Sequence, residues 1–412
     1  MVSEVLRTDI PNDWNVITLG DYAQIFRGGS PRPIQAFLTT SDQGINWIKI
    51  GDVGAGEKFI ESTEEKIIPE GVSRSRMVYK GDLILSNSMS YGRPYIMNIE
   101  GCIHDGWLVI QKYDRLFNRE YLYYALSSDL TMRQYVAMAA GSSVQNLNKE
   151  KVSKVVLPCP KISEQKKIAE VLSSIDALIV DLQKLIRKKK DIRRAALQFY
   201  LNDKERYEWI ERPIIELLKP DGIKIGPFGS QLKKEMLLTD GLYKVYGQEN
   251  VYEKDFSIGT RFLTPEHFQR LNSCEILPGD FLMSSMGTIG KCAIVPENIQ
   301  RGIMDSHLIR LRFDEKKIRQ RYILHLFSDQ FDYLKLQTQK MSVGGIMDGL
   351  SVGIVSKLVV RYPKETRDQE EIVAVFDDMD AEIQILERKL SKYQQVKQGI
   401  MEELLTGRVR LI

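Results

Sequence analysis

Residues 163–201 read SEQKKIAEVLSSIDALIVDLQKLIRKKKDIRRAALQFYL, and a counterpart of this segment occurs later in the same chain. Residues 367–405 read RDQEEIVAVFDDMDAEIQILERKLSKYQQVKQGIMEELL, and the two segments align without a gap at an offset of 204 residues, with nine identical positions. In both segments apolar residues recur at alternating steps of four and three, which predicts two long helices of coiled-coil type. The residues expected to pair these helices are Ile168, Leu172, Ile175, Ile179, Leu182 and Ile186 in the first, and Ile372, Phe376, Met379, Ile383, Leu386 and Leu390 in the second.

The similarity extends outward from the helical segments. Trp14 corresponds to Trp209, Asp105 to Asp305 and Gln165 to Gln369, with the offset rising from 195 to 204 residues. Two copies of one unit give a single chain approximate two-fold symmetry. Duplex DNA is a common ligand of two-fold symmetric proteins.

In each copy, a mixed region rich in glycine and short β-like runs precedes the helix. The chain is therefore predicted to be an α+β protein, with two similar α+β domains separated by a pair of long antiparallel coiled-coil helices in a pseudo-two-fold arrangement. We expect domain one at residues 1–160, the first spacer helix at 161–205, domain two at 206–363, and the second spacer helix with a C-terminal tail at 364–412. Packing of each helix on the core of one globule is the alternative.

Shorter elements follow from local patterns. Strands are expected at residues 46–50, 82–86 and 152–157 in the first copy, and at 280–284, 308–313 and 356–360 in the second. Helices are expected at 119–126 and 321–327. Thr366 and Gln369 have the spacing of a capping box, and Gly407 suits a left-handed helix stop.

Composition limits the class of protein. A chain of 412 residues with 43% apolar and 27% charged residues is typical of an ordinary globular protein with more than one core. The net charge is only +3, so any nucleic-acid surface must be a local concentration of Lys and Arg. The N-terminal residues lack a signal peptide pattern, and no apolar run is long enough to span a membrane. The four cysteines are widely spaced, which suits a cytoplasmic protein and gives no zinc signature.

No stretch of the sequence carries a convincing catalytic signature. Residues 287–292 resemble a phosphate loop, but Ser285 stands where the first glycine is required and Cys292 replaces the hydroxyl residue that would hold magnesium. A structural turn is the better interpretation. The four histidines are scattered, and neither a cofactor loop nor the base-holding tetrapeptide of an adenine methyltransferase occurs. The sequence therefore predicts recognition without catalysis, with no cofactor and no metal.

Polar loops beside glycines offer the best candidates for a binding surface, because they occur as three corresponding loops in both copies. Arg can fork onto guanine, Asn and Gln onto adenine, while Lys, Ser and Thr more often hold phosphates. For any one of these residues, a solvated loop is the alternative. The candidate DNA-binding residues are Arg27, Ser30, Arg32, Asn87, Ser88, Ser90, Tyr91, Arg93, Ser142, Ser143, Gln145 and Asn146 in the first copy, and Lys224, Ser230, Gln231, Lys233, Lys234, Ser284, Ser285, Thr288 and Lys291 in the second.

The first long helix carries a basic run over residues 184–194. Such a run is usually a solvated helix face. Attraction of phosphates and binding of a partner protein are the other interpretations, and the sequence does not separate them.

Taken together, these residues resemble the specificity (S) subunits of type I restriction–modification systems, over essentially the whole chain. The most specific stretches are PCPKISEQKKIA at 158–169, where the first long helix begins, and LLTGRVRL at 404–411. The stretches GINWIKIGD at 44–52 and GPFGSQLK at 226–233 are similar to the starts of target recognition domains. One departure is DQEE at 368–371, where the family usually has Glu-Gln.

The resemblance implies a non-catalytic subunit that binds double-stranded DNA and two modification (methyltransferase) subunits, with restriction subunits joining the full complex. The partners would carry S-adenosylmethionine, adenine methylation, ATP-driven translocation and cleavage. Each helix should be roughly 55–60 Å long, more than one turn of DNA, so each domain would read one half of a split asymmetric site and the helices would set the gap. A stand-alone adenine methyltransferase and an adaptor whose domains bind proteins are the alternatives.

Overall fold

A computed structural model of the chain describes residues 10–54, 56–87, 91–139, 147–203, 205–328, 333–341 and 349–412. The chain divides into two compact units: the first unit comprises residues 1–182 and 389–412, and the second unit comprises residues 183–388. Within the described ranges, no helix is long and apolar enough to cross a membrane.

Two helices of 41 residues each, Ile162–Asn202 and Thr366–Thr406, are called here the first and second long helix. In the first unit the strands β1 to β12 are Asn15–Thr18, Gln24–Arg27, Leu38–Thr39, Ile45–Ile48, Phe59–Ile60, Glu65–Ile67, Arg76–Val78, Leu83–Ser86, Pro94–Met97, Gly101–Ile103, Trp107–Gln111 and Val156–Cys159. Its short helices are Leu19–Tyr22, Arg119–Ser127, Asp129–Ala139 and Lys149–Ser153.

The second unit repeats this plan. Its strands β13 to β22 are Trp209–Pro213, Leu218–Ile225, Tyr243–Tyr246, Phe262–Leu263, Glu275–Ile276, Phe281–Ser284, Cys292–Ile294, Gly302–Met304, Leu308–Phe313 and Val359–Pro363. Its short helices are Gln248–Glu253, Pro265–Arg270, Gln320–Leu326, Tyr333–Met341 and Val352–Lys357.

The two larger sheets of each unit share one order of central strands, but each sheet has five strands in the first unit and four in the second. One sheet has the order β2-β11-β8-β9-β5 in the first unit and β14-β21-β18-β19 in the second. The other has the order β3-β6-β4-β10-β7 in the first unit and β16-β15-β20-β17 in the second, with a parallel pair at β4–β10 and at β15–β20. The predicted α+β domain therefore occurs twice.

The central strands are apolar on both faces because a layer covers each face. Leu83 and Leu85 pack in the core that includes the ends of the long helices, while Ile84 between them packs in the core between the two sheets. In the second unit, Phe281 and Met283 pack in the core with the ends of the long helices, and Leu282 packs in the core between the two sheets.

Two strand predictions were misplaced for a local reason. Residues 149–153 and 352–357 form short helices instead. The Asn148 side chain accepts a hydrogen bond from the Lys151 amide at 2.8 Å, and the Ser351 side chain accepts one from the Ile354 amide at 3.2 Å. These side chains are N-caps. The strands follow later, at β12 and β22.

Antiparallel pairing of the two long helices occurs within each unit. The twelve predicted pairing residues are all buried or half-buried. Ile168 and Leu172 share a core with Leu404 and Leu405, which lie at the other end of the second long helix. In the second unit, Ile372 and Phe376 likewise share a core with Leu197 and Leu201. These cores also contain domain residues, so the ends of the seam pack on the domains as well as on the partner helix.

A reciprocal ion pair fixes the register of the helices. Asp176 lies 2.6 Å from the Lys397 ammonium in the first unit, and Asp380 lies 2.5 Å from the Arg193 guanidinium in the second. Asp380 and Lys397 follow Asp176 and Arg193 by the same 204 residues. The same contact is therefore made twice, with the acid and the base exchanged between helices.

A buried glutamine joins each long helix to its domain. The Gln165 side chain accepts from the Asn118 amide at 2.8 Å and donates to the Leu116 and Pro160 carbonyls at 3.0 and 2.9 Å. Gln369 makes the corresponding contacts with residues 319, 317 and 363. The predicted capping box at Thr366 is therefore wrong, because the Gln369 amide satisfies backbone groups of the domain instead. Gly407 adopts a φ of +73°, as a left-handed stop requires.

The ion pair between Asp380 and Arg193 leads us to expect that the stability of the second unit depends on pH in the acid range. Burial alone would raise the pKa of Asp380, but contacts with His325 and Arg193 outweigh it and hold that pKa below its ordinary value. A lowered carboxyl pKa contributes stability above the ordinary value, and the contribution is lost as the pH falls through the lowered one. We expect Asp380→Asn to destabilise the second unit by about 3–5 kcal/mol near neutral pH, because Arg193 is left buried without its carboxylate.

The difference in unfolding free energy between Asp380→Asn and the unsubstituted chain should narrow below about pH 4. Hydrogen exchange of second-unit peptides, measured at several pH values, follows this difference. Asp378→Asn is the matched control, since Asp378 is an exposed neighbour on the same helix. A deficit that stays constant down to pH 3 would contradict the role given to Asp380.

Candidate nucleic-acid interface

In the first unit, the loops that follow β2 and β8 meet the turn between β10 and β11. We call residues 104–106 the first turn. The Asp105 carbonyl accepts from Asn87 Nδ2 at 2.9 Å and from Arg27 Nε at 3.0 Å, and the Asp105 carboxylate accepts from the Ser30 hydroxyl at 2.8 Å. The Asn87 amide also donates to the Gly106 carbonyl at 2.9 Å. Two of the predicted loops are therefore held on one turn.

Glycine is required where the first loop crosses this turn. The Gly28 amide donates to the Trp107 carbonyl at 2.9 Å, and a Cβ at Gly28 would lie 2.2 Å from the His104 carbonyl oxygen. No side chain fits at that distance. The Leu147 amide also donates to the Asn87 carbonyl, at 3.0 Å.

Asp105 is charged and central in this arrangement, although the sequence analysis did not select it as a binding residue. Burial alone would raise its pKa, but the Ser30 hydrogen bond and the neighbouring Arg27 and Arg32 charges hold the pKa of Asp105 below its ordinary value. The His104 ring lies beside it, with Nε2 3.0 Å from Asp105 Oδ1 and Nδ1 accepting from the Gly106 amide at 2.9 Å. The carboxylate thus orients the surrounding donors.

Arginines surround the first turn. Arg27 and Arg32 are exposed, and the side chain of Arg32 is 81% accessible, with a single ion-pair distance of 3.6 Å to Asp105. Arg74 and Arg76, which the sequence analysis missed, are also exposed and lie over the rings of Phe37 and Phe26 at 5.3 and 4.8 Å. Neither forms an ion pair within the described ranges. This side of the first unit can therefore attract phosphates.

The other candidates of the first unit differ in their exposure. Asn87 is 2% exposed and holds the loop rather than facing solvent. Tyr91 is half-buried, donates to the Tyr135 carbonyl at 2.8 Å, and has a pKa raised by burial. Arg93 is exposed. Six candidates fall outside the described residues, namely Ser88, Ser90, Ser142, Ser143, Gln145 and Asn146.

The second unit builds the same frame around residues 305–307, called here the second turn. The Ser285 amide donates to the His307 carbonyl at 2.8 Å, and the Gly226 amide donates to the Leu308 carbonyl at 3.0 Å. A Cβ at Gly226 would lie 1.8 Å from the Asp305 carbonyl oxygen. The Leu350 amide donates to the Ser285 carbonyl at 2.7 Å, which corresponds to the contact of Leu147 with Asn87 in the first unit.

The backbone register corrects one sequence correspondence. The His104 amide donates to the Ile48 carbonyl on β4, and the Asp305 amide donates to the Tyr246 carbonyl on β15. Asp305 therefore occupies the place of His104, one residue away from the match with Asp105. It is 5% exposed and pairs with Arg261 at 2.9 Å.

The second turn presents a different set of side chains. Ser284 and Ser285 are buried and bond to backbone groups, so they shape the loop. Thr288 is exposed, and its amide donates to the hydroxyl of Tyr252 at 3.1 Å, a contact that the sequence analysis missed. Lys224 and Lys291 are half-buried. The remaining candidates, all exposed, are Ser230, Gln231, Lys233 and Lys234.

Comparison with known proteins identifies the family. The model of the type I restriction modification DNA specificity domain matches residues 11–194 and again residues 225–395. The chain belongs to this family of type I specificity subunits. It is 20% identical over 98% of its length to the MjaVIII specificity subunit of Methanocaldococcus jannaschii, of which 94% is covered. It is also 20% identical, over 97% of its length and 89% of the relative, to the EcoKI specificity subunit of Escherichia coli K12.

Solved structures show the same fold. The crystal structure of the type I S subunit from M. genitalium covers 96% of both chains with a TM-score of 0.57 and 16% identity. A chain from a structural study of type I assembly and conformational transition gives the same TM-score and identity, and covers 97% of this specificity subunit and 99% of that chain. The predicted family and the predicted fold are confirmed.

Because the Gly28 backbone lies so close to the first turn, we expect a side chain at this position to loosen the loop. Gly28→Ala should push the loop off residues 103–106, since a Cβ would lie 2.2 Å from a carbonyl oxygen. We expect the amides of Gly29 and Asn87, which bond to the Ile103 and Gly106 carbonyls, to exchange roughly tenfold faster. Gly51→Ala is the control, because nothing lies within 4 Å of its Cβ position. Equal exchange in both variants would show that the loop tolerates the displacement.

Proposed function

We propose that this specificity subunit recognises a split, asymmetric DNA sequence, of which each unit reads one half. The observation that carries the proposal is the shared backbone frame: in both units, loops of the α+β domain converge on one turn. On that frame the first unit presents arginines and the second presents lysines, Thr288 and Gln231. Unlike side chains at equivalent places favour unlike half-sites.

The contacts suggest a division of labour within the first unit. The Arg32 side chain is 81% accessible, and its distance of 3.6 Å from Asp105 leaves the guanidinium available to fork onto a guanine edge. Arg74 and Arg76 flank the turn and suit the phosphate backbone. Asn87 and Ser30 hold the loop in place.

The two long helices complete the proposed function. They would set the number of unread base pairs between the half-sites and dock two modification subunits, with restriction subunits joining the larger complex. The paired register supports a spacer of fixed length, because the reciprocal Asp–cation contacts and the buried seam leave the two helices one alignment within each unit.

The test is selection of binding sites from random duplexes by the subunit together with its modification subunit. We expect two short unlike words at a fixed separation. Inserting one matched heptad into both long helices, roughly 10 Å, should change the permitted separation without changing either word. Recovery of one continuous word, or of a perfect palindrome, would count against the proposal, and a lack of DNA binding with retained binding of other proteins would favour an adaptor.

Two arginine substitutions separate base reading from phosphate binding. Arg32→Ala should weaken the free energy of DNA binding by about 1–3 kcal/mol and relax the base preference at one position of one half-site. Arg74→Ala should weaken binding to all DNA sequences alike. It should also lower the slope of log binding constant against log salt concentration by about one. Arg115→Ala is the control, since it is exposed and follows the far end of β11. The assignment fails if Arg32→Ala weakens every sequence equally, as measured by anisotropy over a salt series.

A further inference from the structure

The outward face of the first long helix carries apolar side chains that helix pairing leaves exposed. In the second unit, Leu185, Ile192 and Phe199 are 39%, 45% and 66% exposed. They are spaced by seven residues, which places them along one line of the helix. Their line is separate from the seam that contains Ile186, which is 7% exposed.

Cations flank this apolar line. Lys184, Arg187 and Lys188 border a groove of about 460 Å³ together with Asp191, Ile192 and Ala195. The three cations form no ion pair with the part of the chain that the structure describes, whereas Lys189 and Lys190 are paired with Glu382 and Glu387 at 2.7 Å. An exposed apolar line with cations beside it is complementary to an amphipathic helix that has acidic flanks.

The duplicated helix does not repeat this face. The residues that follow Leu185, Ile192 and Phe199 by 204 positions are Lys389, Val396 and Glu403. Val396 is 41% exposed, but Glu403 pairs with Arg408 at 3.2 Å and Lys389 lies over the Tyr393 ring at 5.8 Å. Two of three apolar positions have therefore become charged.

The inner seam behaves in the opposite way. Ile168, Ile179 and Leu182 of the first long helix are followed 204 residues later by Ile372, Ile383 and Leu386. The surface that pairs the helices is thus kept in both copies, while two of the three outward apolar positions of the first helix are charged in the second.

We propose that the two docking sites for the modification subunit are unequal, and that the tighter site is the face of the first long helix at Leu185, Ile192 and Phe199, which receives an acidic amphipathic helix of that subunit. The face at Lys389, Val396 and Glu403 is the weaker site. The complex therefore assembles in two steps of different affinity. This inference rests on the proposed function, which supplies the identity of the partner.

The size of the difference follows from the residues involved. A few well-buried anchor residues, aromatic ones above all, carry most of the binding energy of a protein interface, while charged pairs at its rim contribute little. The loss of Leu185 and Phe199 as anchors should therefore separate the two steps by at least about tenfold in dissociation constant.

The experiment titrates the subunit with its own modification subunit and resolves complexes of one and two copies by native mass spectrometry. The unsubstituted chain should bind the first copy at least about tenfold more tightly than the second. Leu185→Lys with Phe199→Glu gives the first helix the residues of its counterpart, and should weaken the tight step to the level of the weak one. Lys389→Leu should tighten the weak step and leave the other unchanged.

All three substituted positions are exposed, so thermal unfolding should be unaltered and serves as the folding control. Two equal steps in the unsubstituted chain, or equal weakening of both steps by the double substitution, would overturn the inference and leave the proposed function intact. A complete lack of association with the modification subunit would overturn both. A tight step unchanged by the double substitution would place the stronger site elsewhere and overturn the inference alone.

Discussion

One carboxylate in each unit meets a cation from the opposite long helix and a side chain from the domain. Asp176 contacts Lys397 and the hydroxyl of Tyr124, both at 2.6 Å. Burial and the Asp176 carboxylate raise the pKa of Tyr124, so the phenol keeps its proton and donates it. Tyr124 lies on the short helix Arg119–Ser127, so this one carboxylate joins three segments of the chain.

In the second unit, His325 takes the place of the tyrosine. Its Nδ1 lies 3.4 Å from Asp380 and its Nε2 lies 2.9 Å from Asp377, while Arg193 closes the group. Removing two charges from water costs about as much as their attraction returns, so such a group contributes little net stability. Its effect is on register: a shift of one helix by a residue would leave a buried guanidinium without a carboxylate. The domain, the two helices and the loops that the domain carries all depend on that alignment.

The parts of this architecture that repeat along the chain could be predicted from the sequence. The seam was predictable because its period of 3.5 residues is local and occurs twice. The sequence leaves the basic run that contains Arg193 open between a solvated face, phosphate attraction and a partner protein. Arg193 is 1% exposed, and only the opposite helix reveals that Asp380 lies across from it. Gln369 fits a capping box by spacing, but its side chain bonds instead to the Pro363 carbonyl and to backbone groups of residues 317 and 319, 52 and 50 residues away.

The proposed DNA-binding surface is less predictable from the sequence, because its assembly depends on strand pairing between distant segments. The sequence predicts polar loops beside glycines, but the anchor that holds two of them at residues 104–106 is not visible in any local pattern. Arg74 and Arg76 reach that turn because β7 pairs with β10, and no local pattern reports this pairing. Buried residues such as Asn87 and Ser284 have the composition of a reading loop while serving as its supports.

Duplication places different demands on the inside and the outside of the helix pair. The inner residues of each copy must fit the other copy in the same chain, so a change in one requires a compatible change in its partner. The glycines at 28 and 226 are constrained in the same way, since a backbone carbonyl occupies the space of any side chain. Outward residues face no such internal partner. They are free to differ between the copies, and Leu185 against Lys389 and Phe199 against Glu403 show that they do. A single polypeptide can therefore keep the same backbone frame in both units while the two units present unlike side chains outward.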